Sequence, residues 1–195
     1  TGSPAVLWVG RLNANKDPLT VVAAFESFAA ATPGATLTMV YHTEELVAPV
    51  RARVQASAVL RDRVRLAGAV PPDRMAAFFS AADLFVVGSH HEGSGYALME
   101  AMACGAVPVV TDIPPFRALT RVGDRQVTVT GLSPLWTPGD ADGCARALAD
   151  AASRDLARER SRVVAHVELH PHRFGADRDR LVHQLVGRND AADEA

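Results

Sequence analysis

The sequence predicts an α/β fold, a doubly wound parallel sheet of about six strands with helices on both faces. Short apolar runs alternate with helical patterns five or six times, which means parallel pairing through helical crossovers. The runs are apolar at successive positions, as in strands buried on both sides. No internal repeat, low-complexity stretch or linker interrupts the 195 residues, so one large domain is expected.

The elements follow in order. Ala5–Val9 is the first strand. Pro18–Ala31 has a helical period, with Asp17 as N-cap and Pro18 at the first helical position. Thr36–Val40 is the second strand and Thr43–Leu60 the second helix. Val64–Ala67 is the third strand, Pro72–Ala82 a helix, and Leu84–Val87 the fourth strand. Gly95–Cys104 is a short helix ended by Gly105. Val107–Val110 is the fifth strand, Pro115–Arg121 a short helix, and Gln126–Thr130 the sixth strand. Ala141–Ser153, Leu156–His166 and Ala176–Val186 close the domain as helices. The domain is expected to span 1–188, and 189–195 to be a frayed acidic tail.

Composition bounds the function. With 48% apolar and 22% charged residues the chain is globular, and about 70% of its unfolded surface is expected to be buried. Twenty basic against 22 acidic residues leave no long-range field for nucleic acid or an anionic membrane. Two cysteines, Cys104 and Cys144, are too few for a disulfide framework, so a reducing, cytoplasmic setting is expected. No run of 18 apolar residues predicts a membrane span. Thr1-Gly2-Ser3-Pro4 has no signal-peptide pattern and leads at once into a strand, which suits a cut or a linker better than a native start. Of the 20 basic residues all but Lys16 are Arg. Where Arg serves everywhere else, the one Lys retained is expected to need its compact head.

Doubly wound sheets bind ligands beyond the carboxyl ends of their strands, where the winding reverses. For the strand order 3-2-1-4-5-6 that point lies between strands one and four. Two loops meet there: Gly10–Asp17 and Gly88–Gly95. The first reads Gly10-Arg11-Leu12-Asn13-Ala14-Asn15-Lys16-Asp17. It carries neither G-x-G-x-x-G nor G-x-x-x-x-G-K-[ST]. Its two cations, Arg11 and Lys16, beside a helix N-terminus suit a diphosphate; alternatively they are two solvated surface charges. The second reads Ser89-His90-His91-Glu92-Gly93-Ser94-Gly95-Tyr96-Ala97-Leu98-Met99-Glu100. Gly93 and Gly95 permit close approach and positive φ, Ser94 is placed to cap the helix, and the first-turn N–H groups make an anion site. Glu92 and Glu100 are taken singly an ordinary loop acid and an ordinary helix acid. Together, beside a phosphate site, they suit sugar hydroxyls, since a carboxylate accepts two hydrogen bonds from a vicinal diol.

The segment Glu92–Val110 resembles the E-x7-E region of retaining glycosyltransferases of GT-B fold, the large group-1 family. Val9-Gly10-Arg11-Leu12 with Lys16-Asp17-Pro18 resembles the same family's phosphate loop, Ala81–Val86 its fourth strand, and Pro138-Gly139-Asp140 its loop after the sixth strand. The resemblance covers roughly Val6 to Ser153, with the motifs in the family's order. It implies the C-terminal, donor-binding half of such an enzyme, with the N-terminal acceptor domain absent from this chain. Gly10, Arg11 and Lys16 would then hold the nucleotide diphosphate. Glu92 would contact the donor sugar and Glu100 the ribose diol. Gly93, Ser94, Gly95, Tyr96 and Ala97 would add backbone contacts, and Gly68, Val70 and Met75 would border the base. Glu92, Arg11 and Lys16 would carry the chemistry, transfer of a sugar from a nucleotide sugar with retention at the anomeric carbon. The cations and the helix end would stabilise the leaving diphosphate, so no metal or cofactor is expected. The partners implied are the nucleotide sugar and the acceptor domain; alone, the chain is expected to bind a donor weakly and transfer little. The alternative is a stand-alone nucleotide-sugar binding module working with a separate acceptor subunit. A nicotinamide oxidoreductase is disfavoured by the missing glycine fingerprint. The chain departs from the family at Ser94, usually aromatic, at Tyr96, usually aliphatic, and at Tyr41-His42, often a glycine pair.

Other groups have plainer readings. His90 and His91 lack a distant third metal ligand. His166, His170 and His172 suit a helix C-terminus facing the dipole better than a metal. Cys104 and Cys144 read as small core residues, as do Trp8 and Trp136 among the aromatics. Arg154, Arg158, Arg160 and Arg162, interspersed with Asp155 and Glu159, read as a solvated, pair-laced helix face.

Overall fold

The computed structural model describes residues 3–43, 45–121 and 131–170. Six strands form one sheet: β1 (Ala5–Gly10), β2 (Thr36–Tyr41), β3 (Val64–Gly68), β4 (Leu84–Val87), β5 (Val107–Thr111) and β6 (Leu135–Trp136). Their order is β3-β2-β1-β4-β5-β6, and every neighbouring pair is parallel. The expected winding is therefore present, with its reversal between β1 and β4. Leu7 sets the register at that point, opposite Thr38 on one side and Phe85 on the other.

The helices are α1 (Pro18–Ala31), α2 (Val47–Ala56), α3 (Ala58–Arg61), α4 (Pro72–Ala81), α5 (Tyr96–Ala103), α6 (Pro114–Thr120), α7 (Ala141–Ser153) and α8 (Leu156–Leu169). α7 and α2 pack against α1 on one side of the sheet, while α5 packs against α4 and α8 on the other. The sheet between them is dry: every residue of β4 and β5 is buried. Phe79 of α4 meets Phe85 of β4 edge to face, with centroids 5.8 Å apart. Burying an aromatic or branched side chain of this kind contributes about 1.5–3 kcal/mol, and the run of them explains why β1, β4 and β5 read as continuous apolar segments. Trp8, Trp136 and Cys144 belong to this core.

α1 starts as its sequence dictates. The Asp17 carboxylate accepts from the Thr20 N–H at 3.3 Å, and Pro18 occupies the first turn, where its missing N–H costs nothing. Elsewhere the structure departs from expectation. The segment 43–60 is not one helix. Ser57 takes an extended conformation and caps a second short helix through the Leu60 N–H, so the chain breaks into α2 and α3. Thr43 is not helical either; its hydroxyl accepts from the Leu12 N–H at 3.0 Å and braces the loop after β1. The sixth strand of the sheet is Leu135–Trp136, and the expected strand Gln126–Thr130 lies outside the described residues. So do the expected helix Ala176–Val186 and the tail from Asn189.

The arginines near α8 do not form one solvated face. Glu159 is buried and accepts from Arg162 at 2.7 and 2.9 Å. Arg160 turns inward, donating to the carbonyls of Ala82 at 2.5 Å, Ser80 at 3.0 Å and Cys104 at 3.4 Å. One planar guanidinium thus serves the chain ends of both α4 and α5, as its forked donors allow.

Candidate functional site

The switch point opens into a cleft of about 500 Å³ beyond the carboxyl ends of β1, β2 and β3. Among the residues expected to bind a donor, Gly10, Arg11, Lys16, Val70, Met75, Glu92, Ser94, Gly95, Tyr96, Ala97 and Glu100 line it. Gly68 and Gly93 do not. Gly68 ends β3 with a positive φ of 69°, turning Ala69 and Val70 toward the cleft. Gly93 has no positive φ, so that expectation fails, and a side chain there would meet open space. A second cavity of similar size lies at the opposite ends of β1–β3, beside Phe78 and Ala82 of the α4 segment. Its charged residues are Asp62, Arg63 and Arg65, at the amino ends of the strands and away from the switch point.

Local structure explains how the cleft is built. β1 delivers Gly10 directly over the buried Trp8 ring: a side chain on Gly10 would begin 3.1 Å from the indole. The next turn, Ala14–Lys16, is a single 3-10 turn capped by the Asn13 side chain on the Lys16 N–H. It aims Lys16 back across β1. On the other side Gly95, with φ 68°, turns the chain into α5. A side chain there would begin 3.1 Å from Leu119 and 3.3 Å from Phe116, so both conformation and space require glycine. Gly95 is itself the N-cap, and no side chain caps this helix. Ser94 therefore does not play the capping role expected of it. The first-turn bonds of α5 run from Leu98 and Met99 back to the Gly95 carbonyl. That leaves the Tyr96 and Ala97 N–H groups ahead of the ladder, at the cleft wall, where helix ends favour anions.

The charges are arranged in two kinds. Lys16 Nζ donates to Glu92 Oε1, and both side chains are only 19% exposed. The expected phosphate cation and the expected sugar-binding acid thus already satisfy each other. Arg11, by contrast, is exposed and has no ion pair among the described residues. Behind Lys16, His90 Nε2 lies 3.0 Å from Asp17 Oδ2, so His90 faces the α1 cap. Among the described residues no group of three His, Cys, Asp or Glu is placed to hold a metal ion. His166 and His170 stack with ring centroids 4.6 Å apart; His172 lies outside the described residues.

Sequence reasoning missed several lining residues. Val9, Val40, Tyr41, His42 and Ala69 also border the cleft. Tyr41 and His42 carried a signal, since they stand at the carboxyl end of a strand beside the switch point. The thiols take no part. Burial pushes Cys104 up to about 11 and Cys144 higher still, so both stay protonated near neutrality and are poor nucleophiles.

Fold and cleft together define a doubly wound domain with its site at the switch point, and comparison with known proteins places that domain. The family described as glycosyl transferases group 1 matches residues 3–154. The chain belongs to this family, and its fold is that of a C-terminal GT-B domain. It is 35% identical over 183 residues to 2-deoxystreptamine N-acetyl-D-glucosaminyltransferase of Streptomyces fradiae, covering 90% of this chain and 40% of that protein. It is 30% identical over 129 residues to GDP-mannose:cellobiosyl-diphosphopolyprenol alpha-mannosyltransferase of Xanthomonas oryzae, covering 66% of this chain and 34% of the relative. The structure of Anabaena HepE in complex with UDP and glucose superposes with a TM-score of 0.71 at 19% identity, over 97% of this chain and 49% of HepE. A TarM variant of S. aureus in complex with Fondaparinux, alpha-GlcNAc-glycerol and UDP also gives 0.71, at 13% identity, over 94% of this chain and 35% of TarM. The chain thus spans about a third to a half of the proteins it matches. No helix among the described residues is long and apolar enough to cross a membrane.

Proposed function

We propose that this chain is the nucleotide-sugar donor-binding half of a retaining glycosyltransferase. The observation that carries the reading is the gathering of Arg11, Lys16, Glu92, Glu100 and the α5 N-terminus around one cleft. Relatives that transfer sugars and a structural neighbour holding UDP and glucose support it.

On this reading Arg11, Lys16 and the Tyr96 and Ala97 N–H groups hold the diphosphate and stabilise the negative charge that grows on it as the glycosidic bond breaks. Preorganised donors of that kind contribute a few kcal/mol each. Arg11 offers a planar fork, Lys16 a point charge released from Glu92. Glu92, freed in the same exchange, accepts from hydroxyls of the donor sugar. Glu100 accepts from the ribose diol, and Val70 and Met75 give the base an apolar wall. The chemistry needs no metal. An acceptor domain closes the cleft from the far side, so the chain alone binds more readily than it transfers. A reducing cytoplasm suits Cys104 and Cys144, which are both free thiols.

The test is calorimetric titration of this chain with UDP, GDP and ADP. One of them is expected to bind, and Arg11→Ala to weaken it by about tenfold, the worth of a charge-assisted contact. Binding of none, in this chain and in a longer one carrying the acceptor side, would overturn the reading. Glu100→Gln should weaken a ribonucleotide by about fivefold while leaving its 2′-deoxy analogue nearly unchanged, since only the former presents a diol. Equal losses in the two nucleotides would remove Glu100 from the ribose.

A further inference from the structure

The two loops of the cleft are not merely adjacent; one side chain joins them. Asn15 Oδ1 accepts from the His91 N–H at 2.9 Å, and Asn15 Nδ2 donates to the His91 carbonyl at 3.0 Å. The same residue's main-chain carbonyl accepts from the His90 N–H at 2.9 Å. A side-chain amide that satisfies both polar groups of one residue imitates a rung of a β-ladder, here between residues 76 positions apart in sequence. Beyond Asn15 the next residue keeps that register and the one after it reaches back across it. Lys16 meets Glu92 and Asp17 meets His90. The base of the second loop is held separately, where the Thr111 hydroxyl donates to the Ser89 carbonyl at 2.6 Å. Gly88 lets the end of β4 close up on the start of α1, since a side chain there would begin 2.9 Å from Val21 and 3.1 Å from the Lys16 carbonyl. Asn15 is the outermost of these ties and the only one whose side chain bonds the loop backbone between Ser89 and Glu92 among the described residues.

We infer that Asn15 is a positioning residue for Glu92. It touches neither expected half of the ligand, since it does not line the cleft. It fixes the path of residues 90–92, so that Glu92 stands within reach of Lys16 when the cleft is empty and keeps its place when Lys16 turns to another anion. Constellations of this kind need their supporting shell locked as well as their contact residues. The amide is chemically specific: only a group with one acceptor and one donor in a plane fits both His91 atoms. Aspartate keeps the acceptor but sets a carboxylate against the His91 carbonyl; alanine removes both bonds.

This inference rests on the proposed function for its ligand, and its test separates the two. Asn15→Ala and Asn15→Asp are titrated with a nucleoside diphosphate and with the matching nucleotide sugar, and amide exchange at His90 and His91 is followed in the unliganded proteins. Asn15→Ala is expected to exchange faster at His91, and both variants to lose about tenfold more affinity for the nucleotide sugar than for the nucleoside diphosphate, because only the former uses Glu92. Melting temperature should hold, since the tie lies in a partly exposed loop. Equal losses for both ligands, or none, overturn the inference. If the unaltered protein binds no nucleotide, the proposed function fails, and exchange at His91 decides the registry by itself: unchanged protection in Asn15→Ala overturns it.

Discussion

Lys16→Ala is expected to weaken nucleoside diphosphate binding about tenfold to a hundredfold, and Glu92→Gln to strengthen it. The first figure follows from the loss of a charge-assisted bond worth about 1.5–3 kcal/mol, at about 1.4 kcal/mol per tenfold. The opposite sign for Glu92→Gln follows from the pair itself. In the empty cleft Glu92 occupies Lys16, so a phosphate must displace a carboxylate before it gains the cation. A glutamine has the same shape and no charge, and the competition falls away. An ion pair that still touches water is modest in net worth, so the gain should be about two- to fivefold. Calorimetry with one nucleotide on three proteins reads both effects, with circular dichroism to confirm an unaltered fold. An Ala variant that binds like the parent would remove Lys16 from the diphosphate. A Gln variant that binds more weakly would mean that Glu92 assists the phosphate rather than blocks its cation.

Arg160→Ala should cost about 2–4 kcal/mol of stability, the largest loss expected from any charged residue outside the cleft. Its guanidinium donates to carbonyls of Ser80, Ala82 and Cys104, and the two part-buried acceptors, Ala82 and Cys104, cost about 1–3 kcal/mol each when left bare, whereas the exposed Ser80 carbonyl turns to water. Its positive charge also sits at the C-terminal ends of α4 and α5, where helix dipoles favour a cation. The guanidinium lies over Gly105, 3.7 Å from where a side chain on that residue would begin, a contact between α8 and the turn after α5 that a shorter residue would lose. Arg160→Lys keeps the charge but cannot reach three carbonyls from one point, so it should fall between parent and Ala. Urea unfolding measures the series. A loss below about 0.5 kcal/mol for Arg160→Ala, the usual range for a surface substitution, would show that water replaces these bonds without cost.

The winding of the sheet was legible because its central strands, β1, β4 and β5, are apolar runs. Val6, Leu7, Leu84–Val87 and Val107–Val110 are buried on both sides, and no other common element reads that way. Order then placed two distant loops together, which is why eleven expected residues border one cleft. What could not be read was pairing inside that cleft. Nothing in the local sequence around Lys16 refers to Glu92, and the tie from Asn15 to His91 depends on the depth to which the loops approach. The short β6 escaped for a different reason. Leu135–Trp136 is two residues between Pro134 and Pro138, too brief for any alternation to show, whereas the β-branched run at 126–130 invited the assignment. Ser57 hid the break between α2 and α3, because a lone serine inside an apolar-periodic stretch is common in helices; only its extended backbone marks the interruption.

The placement of Trp8 has a spectroscopic consequence. The chain holds two indoles, Trp8 and Trp136, and both are buried. Trp136 lies on β6, at the far edge of the described sheet from β3. Trp8 lies under Gly10, with its six-membered ring 3.1 Å from where a side chain on that residue would begin, and with the Lys16 stem beyond. Any shift of the loop after β1 changes the field and the contacts felt by that ring. The domain therefore carries its own optical reporter of phosphate-loop movement, readable in emission without a label and separable from Trp136 by replacing the latter with phenylalanine.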